Sequence, residues 1–196
     1  MRSGVDTRHG YEADTGLETA LGAARAGEEW GFVALYRDLQ PRLLRYATAL
    51  VGAEAEDVTA ETWLHVARDL HRFDGDLDGF RGWASTICRN RATDVARVRA
   101  RRPYVVGDIG DVGAVCEPSA ASDTADDALT GLSSRAAIAL IASLPQREAE
   151  AVLLRAVVGL DTNATGAVLG TSAGAVRVAA HRGLKRLARM LAEHDA

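Results

Sequence analysis

Apolar residues recur at three- and four-residue spacing from Phe32 through Leu35, Tyr36, Leu39, Leu43 and Tyr46 to Leu50. That is the period of one helix face, and it predicts a helix over 32–51. Pro41 lies inside the pattern, so a kink or break is expected just before it, because proline removes a helical hydrogen bond. Val58, Trp63, Leu64, Val66, Ala67 and Leu70 predict a second helix over 54–70. The run Asp74-Gly75-Asp76-Leu77-Asp78-Gly79 reads as a loop from its Asp and Gly content. Phe80, Trp83, Ala84, Ile87, Ala92, Val95 and Ala96 predict a third helix over 80–101, which Pro103 ends.

From Tyr104 to about Asp123 the periodicity disappears and Gly, Asp, Ser and Ala dominate, as in a linker without its own core. A structureless run of that length inside one compact domain is uncommon, which favours two domains. Helical patterning resumes over 126–144, with an interruption near Gly131. Pro145 fits the first turn of a helix over 146–158, closed by Gly159. Asp161 or Thr162 can cap a short helix ending at Gly170, and Ser172 can cap a last one reaching about Leu191. The fold class is therefore all-α: two small helical domains, 30–102 and 126–191, joined by an acidic flexible linker over 103–125. Residues 1–29 fit neither domain and form either a disordered extension or a regulatory arm.

The net charge of −4 argues against a protein that coats nucleic acid unaided. Its distribution is uneven. Residues 31–102 hold twelve Arg against ten acids, whereas 103–134 hold six acids and no base. No apolar run is long enough to span a membrane, and the polar N-terminus lacks an apolar signal segment. The expected address is the cytoplasm. Cys88 and Cys116 share no metal-ligand spacing and read as buried or linker thiols. No phosphate loop, nucleophile elbow or carboxylate dyad is present, so neither an enzyme nor a metal or cofactor site is expected.

A short helix, a turn holding Gly170 and a basic last helix make a helix-turn-helix, whose second helix reads base edges in the major groove. That helix offers Ser172, Ala175, Arg177, Val178, His181, Arg182 and Lys185. An ordinary amphipathic helix with a solvated charged face would show the same pattern. The third helix concentrates Arg81, Arg89, Arg91, Arg97, Arg99, Arg101 and Arg102 around Trp83 and Asn90, with Asp94 the lone acid. Arginines contact phosphates, while aromatics and amides hold unstacked bases. Trp83 also keeps a core spacing with Phe80 and Ile87.

AEDVTAETWLHVARDLHRF, followed by FRGWASTICRNRATDVARVRARRP, resembles sigma domain 2. LPQREAEAVLLRAVVGLDTNATGAVLGTSAGAVRVAAHRGLKRLARML resembles sigma domain 4. The order and spacing are similar to those of the extracytoplasmic-function (ECF) subfamily of bacterial sigma-70 factors. The resemblance implies a transcription initiation factor that binds core RNA polymerase, recognises minus-ten and minus-thirty-five promoter elements and promotes strand opening. It implies that Asp57, Glu61, Leu64 and Ala67 dock on the beta and beta-prime subunits. The loop with Asp76 and Leu77 would capture a flipped minus-ten base, and Arg81, Arg89, Asn90, Asp94 and Arg97 would hold the melting strand. Ser172 to Lys185 would read the minus-thirty-five element. An anti-sigma partner is implied by the resemblance alone.

Within the family, the acidic linker suits a channel built to hold RNA; a solvated spacer has the same composition. The helix-turn-helix departs from the family pattern. Thr165-Gly166 replaces an apolar β-branched residue and Ala, and Val178-Ala179-Ala180 replaces a small polar–Arg–Leu run. Weaker or altered minus-thirty-five recognition is expected, carried by Arg177, His181, Arg182 and Lys185. A free helix-turn-helix regulator without sigma activity is the alternative reading. It would explain the C-terminal half but not the Arg-rich third helix.

Overall fold

The computed structural model describes residues 7–101 and 135–194, and every regular element among them is helical. Four helices form the first half: α1 (Thr7–Arg25), α2 (Glu29–Val51), α3 (Ala55–Asp69) and α4 (Leu77–Arg101). Residues 135–142 form α5. Then come α6 (Gln146–Val152), a π-helical turn Leu153–Val158, α7 (Thr162–Leu169) and α8 (Ala173–His194). The expected linker and the start of the helix at 126 lie outside the described residues.

Leu35, Leu39, Leu43 and Tyr46 of α2 form the spine of the main core, against Val58 and Val66 of α3 and Phe80, Ala84 and Cys88 of α4. The same apolar cluster continues into Leu153, Leu154, Val158, Leu160 and Val168, so the two halves close on one another. A smaller cluster of Leu144, Ala149, Val152 and Leu187 holds α6 to α8. Burial pushes the Cys88 thiol up to about 12, which keeps it protonated and inert at neutral pH.

Four expectations need correction. The helix through Pro41 is unbroken. Pro41 and Arg37 lie on the exposed side, where the carbonyl that proline leaves unpaired can meet water. The helix over 146–158 is not α-helical throughout. Its last turn widens to π, and Gly159 and Leu160 both donate to the Leu154 carbonyl at 3.1 and 2.9 Å. The fourth helix begins at Leu77, inside the expected loop, because Asp76 caps it by accepting from the Gly79 N–H at 2.8 Å.

The fourth correction concerns the N-terminal extension, which is helical from Thr7 and joins the core through Ala20 and Leu21. Its docking depends on small residues. A Cβ on Gly31 of α2 would fall 2.4 Å from the Ala20 carbonyl oxygen and 2.6 Å from the Ala24 nitrogen. Helix backbones approach that closely only where no side chain intervenes. The capping signals behave as read. Asp161 accepts from the Ala164 N–H at 2.6 Å, Ser172 from the Ala175 N–H at 3.2 Å, and Gly159 and Gly170 end helices at φ 89° and 63°.

Gly31→Ala is expected to destabilise the fold by about 1–3 kcal/mol, the usual cost of overpacking. Gly22→Ala, where the added methyl meets nothing within 4 Å, is expected to stabilise α1 by about 1 kcal/mol. Denaturant unfolding of both variants checks the pair.

Candidate nucleic-acid interface

Asp57, Glu61, Leu64 and Ala67 lie at helical spacing on α3, and all four are exposed. The opposite face of α3 carries Val58, Thr62 and Val66 into the core. Leu64 is 72% exposed in mid-helix. A large apolar side chain so placed, flanked by two carboxylates, makes a face suited to a protein partner.

The expected minus-ten residues divide into two groups. Asp76, Asn90, Asp94 and Arg97 are exposed, and Asp94 pairs loosely with Arg97 at 3.5 Å. Leu77 and Arg81 are not available to DNA: they are 3% and 7% exposed. Leu77 opens α4 with its side chain in the core. The Arg81 guanidinium is held by Asp14 (3.1 Å), Asp38 (3.3 Å) and Asp78 (3.4 Å). Burial works against the Arg81 charge, yet the hydrogen bond to Asp14 and the field of Asp38 outweigh it and raise its pKa. Beside them, Phe73 stacks on Trp83 with centroids 5.1 Å apart and planes at 18°. Trp83 is half-buried, so its core spacing and a place at the surface are compatible.

Arg89 sits between the halves. Its Nε donates to Glu150 of α6 at 2.5 Å, and that hydrogen bond raises its pKa against burial. Below it lies the Tyr46 phenol, which burial and the Glu150 charge push well above its usual pKa. Nearer the start of α4, an open groove of about 320 Å³ runs between Asp78, Trp83 and Thr86 and the facing Asp161, Asn163 and Ala167. Thus α7 lies over the surface next to the 73–79 segment. Arg42 adds a third tie, donating to the Val158 carbonyl at 3.3 Å.

In α8 the packing face is Val176, Gly183 and Leu187. Ser172, Ala175, Arg177, Val178, His181, Arg182 and Lys185 are all exposed on the other side, with Ser172 also serving as the cap. Arg177, Arg182 and Lys185 form no ion pair among the described residues. Arg186, nearer the bundle, is instead tied to Glu148 at 3.2 Å. The sequence reading missed the residues that brace α4 and the 73–79 segment from elsewhere: Glu150, and Asp14, Glu18 and Arg25 of α1. The α1 residues, with Leu21, keep a helical stripe spacing that could have revealed them.

A helix exposing Leu64, an arginine-rich helix beside an aromatic loop, and a helix-turn-helix are the parts of an all-helical DNA-binding protein. Residues 35–102 match the family model of Sigma-70 region 2, and residues 134–187 match that of Sigma-70, region 4. ECF RNA polymerase sigma factor ShbA of Streptomyces griseus is 37% identical over 146 residues, covering 70% of this chain and 71% of that protein. RNA polymerase sigma factor CarQ of Myxococcus xanthus is 32% identical, covering 86% and 94%. ECF RNA polymerase sigma factor BldN of Streptomyces coelicolor is also 32% identical over 86% of this chain, which spans 63% of that longer protein. A solved structure of CnrH in complex with the cytosolic domain of CnrY shares the fold, with a TM-score of 0.62 at 21% identity over 94% of this chain and 99% of that one. The chain belongs to the ECF sigma factors of the sigma-70 family. A free helix-turn-helix regulator would account for the region 4 match alone and is set aside.

The unusual Thr165-Gly166 pair has a packing explanation. A Cβ on Gly166 would lie 2.8 Å from the Thr171 carbonyl oxygen, so glycine lets α7 close on the turn. Thr165 is fully buried, and its hydroxyl finds no hydrogen-bond partner among the described residues. Gly166→Ala is expected to destabilise this half despite its better helix propensity. Thr165→Val should stabilise it by about 1–3 kcal/mol, the cost of an unsatisfied buried hydroxyl. Thermal unfolding of the two variants should shift in opposite directions.

Proposed function

We propose that this sigma factor docks on the beta and beta-prime subunits of core polymerase through Asp57, Glu61, Leu64 and Ala67. The observation that carries this reading is the exposed Leu64 in a carboxylate-flanked face opposite the core. The 73–79 segment, with Asp76 and the Phe73–Trp83 stack, receives a flipped minus-ten base. Asn90, Asp94 and Arg97 hold the unpaired strand, joined by Arg89 once it leaves Glu150. Ala175, Arg177, Val178, His181, Arg182 and Lys185 read the minus-thirty-five element. Residues 30–102 and 126–191 act as separate domains on DNA. The cytoplasm is the site of action, and an anti-sigma protein is the expected inhibitor. No helix among the described residues is long and apolar enough to cross a membrane.

On a promoter the two halves must part. Elements named minus-ten and minus-thirty-five are roughly 25 base pairs apart, about 85 Å at 3.4 Å per step. In the closed form α4 and α7 are in contact, with Gly82 within 3.9 Å of Ala164 once a Cβ is added. The chain between residues 101 and 135 can reach about 110 Å when fully extended, which is enough.

Two measurements test this reading. Run-off transcription with bacterial core polymerase should yield a discrete transcript that needs this protein. The transcript should weaken by about tenfold or more in Arg177→Ala/Arg182→Ala, since each lost base or phosphate contact is worth about 1 kcal/mol or more. Transcription indifferent to both arginines would remove α8 from promoter reading, and failure to bind core polymerase would remove the α3 assignment. Separately, Glu150→Gln should loosen the closed form and raise the radius of gyration of the free protein in small-angle scattering. An unchanged radius would show that the Arg89–Glu150 ion pair is not what keeps the halves together.

A further inference from the structure

The 73–79 segment is held from outside by a single face of α1. Asp14, Glu18, Leu21 and Arg25 fall at intervals of four, three and four residues, one stripe on a helix. Leu21 is buried and fixes the stripe against the core. Glu18 and Arg25 then reach successive points of this short segment, and Asp14 reaches α4 just beyond it. Glu18 Oε1 accepts from the Leu77 N–H at 2.8 Å, one of the donors that a helix start leaves without an internal partner. Arg25 donates to the Gly75 carbonyl, and its guanidinium lies 5.2 Å from the Phe73 ring centroid, where cation–π attraction operates. Asp14 accepts from Arg81, one turn into α4. The segment's own anchor is Asp76, which accepts from the Gly79 N–H.

Gly75 carries no side chain to pack, and Asp74, Gly75 and Asp76 are exposed, so between the anchored Phe73 and Leu77 little but the Asp76 hydrogen bond fixes the backbone. A loop that must hold one base in one geometry needs its backbone set beforehand, because ordering it on binding would cost conformational entropy. The geometry points to Glu18 and Arg25 as positioning residues for base selectivity: α1 sets the shape of the minus-ten reading loop through the backbone at Gly75 and Leu77. This rests on the reading that the 73–79 segment receives a minus-ten base. Neither residue belongs to the surfaces assigned to DNA or polymerase, and Glu18 is exposed, so its replacement leaves the core intact.

The test uses holoenzyme assembled from bacterial core polymerase and a promoter active with the unaltered protein, permuted to all four bases at every minus-ten position. Asp76→Ala and Trp83→Ala identify the position that the loop reads. Glu18→Leu and Arg25→Ala should then flatten the base preference at that same position by about fivefold, the worth of roughly one net hydrogen bond. Glu18→Gln, which keeps an accepting oxygen for the Leu77 N–H, should retain the preference. If Glu18→Leu and Arg25→Ala lower transcription equally on all four bases, α1 is a plain stabiliser and the inference is wrong, while base capture by the loop stands. If Glu18→Gln flattens the preference as much as Glu18→Leu, the hydrogen bond is not the cause and the inference again fails. If Asp76→Ala and Trp83→Ala move no position, the loop does not read a base, and both readings fall together.

Discussion

A buried arginine organises the first half of this molecule. The Arg81 side chain is almost fully enclosed, and a guanidinium cannot shed its charge, so the fold must bring carboxylates to it. The three carboxylates are unequal. Asp14 and Asp78 are largely solvated, and each contributes little, as surface ion pairs do. Asp38 is mostly buried, and removing it would leave the Arg81 charge to two solvated carboxylates, a loss that approaches the roughly 3–5 kcal/mol of a broken buried pair. Asp38 also accepts from Arg42 at 2.9 Å, and Arg42 reaches the Val158 carbonyl. One chain of charge thus runs from α1 through α4 and α2 to the π-helical turn of the second half. The need to neutralise Arg81 ties the start of α4 to Asp38 of α2, while α1 and the second half, which dock mainly by apolar contact, each add a hydrogen bond to that chain.

The elements that were legible in the sequence are those that bury large side chains or end on distinctive caps. The α2 stripe of Leu35, Leu39 and Leu43, the Asp161 and Ser172 caps and the Gly159 and Gly170 stops are local signals with local causes. The N-terminal helix escaped because its contact with α2 is made by Ala20, Ala23, Ala24 and Gly31, and close backbone approach leaves no pattern of bulky residues to find. The start of α4 escaped because one apolar residue, Leu77, sits among four Asp and Gly neighbours whose composition reads as loop. Its burial follows from the Glu18 and Asp76 hydrogen bonds, of which the first is non-local. Likewise, Arg81 looked like one more basic residue of α4. Only the arrival of Asp38 and Asp14 from other helices makes it structural rather than a phosphate contact.

The same non-locality changes the meaning of the charge count. Helix α4 is arginine-rich, yet in the closed form Arg81 faces Asp38, Arg89 faces Glu150, Arg91 faces Glu61, Arg97 faces Asp94 and Arg99 faces Glu54. The surface pairs lie at 3.5–3.8 Å between exposed side chains, so they are weak and can be exchanged for phosphates at little cost. Arg89 is different, because its partner is buried and reached through a short hydrogen bond. Five of the α4 arginines are thus paired, whereas Arg177, Arg182 and Lys185 of α8 are without an ion pair among the described residues. In a chain of net charge −4 this limits nonspecific attraction to DNA before polymerase is bound. If, as proposed, the halves part on a promoter, Arg89 and the surface beside Trp83 are freed together, because α6 and α7 belong to one packed unit. Under that proposal charge and aromatic surface would become available to DNA in one step, coupled to separation of the two domains.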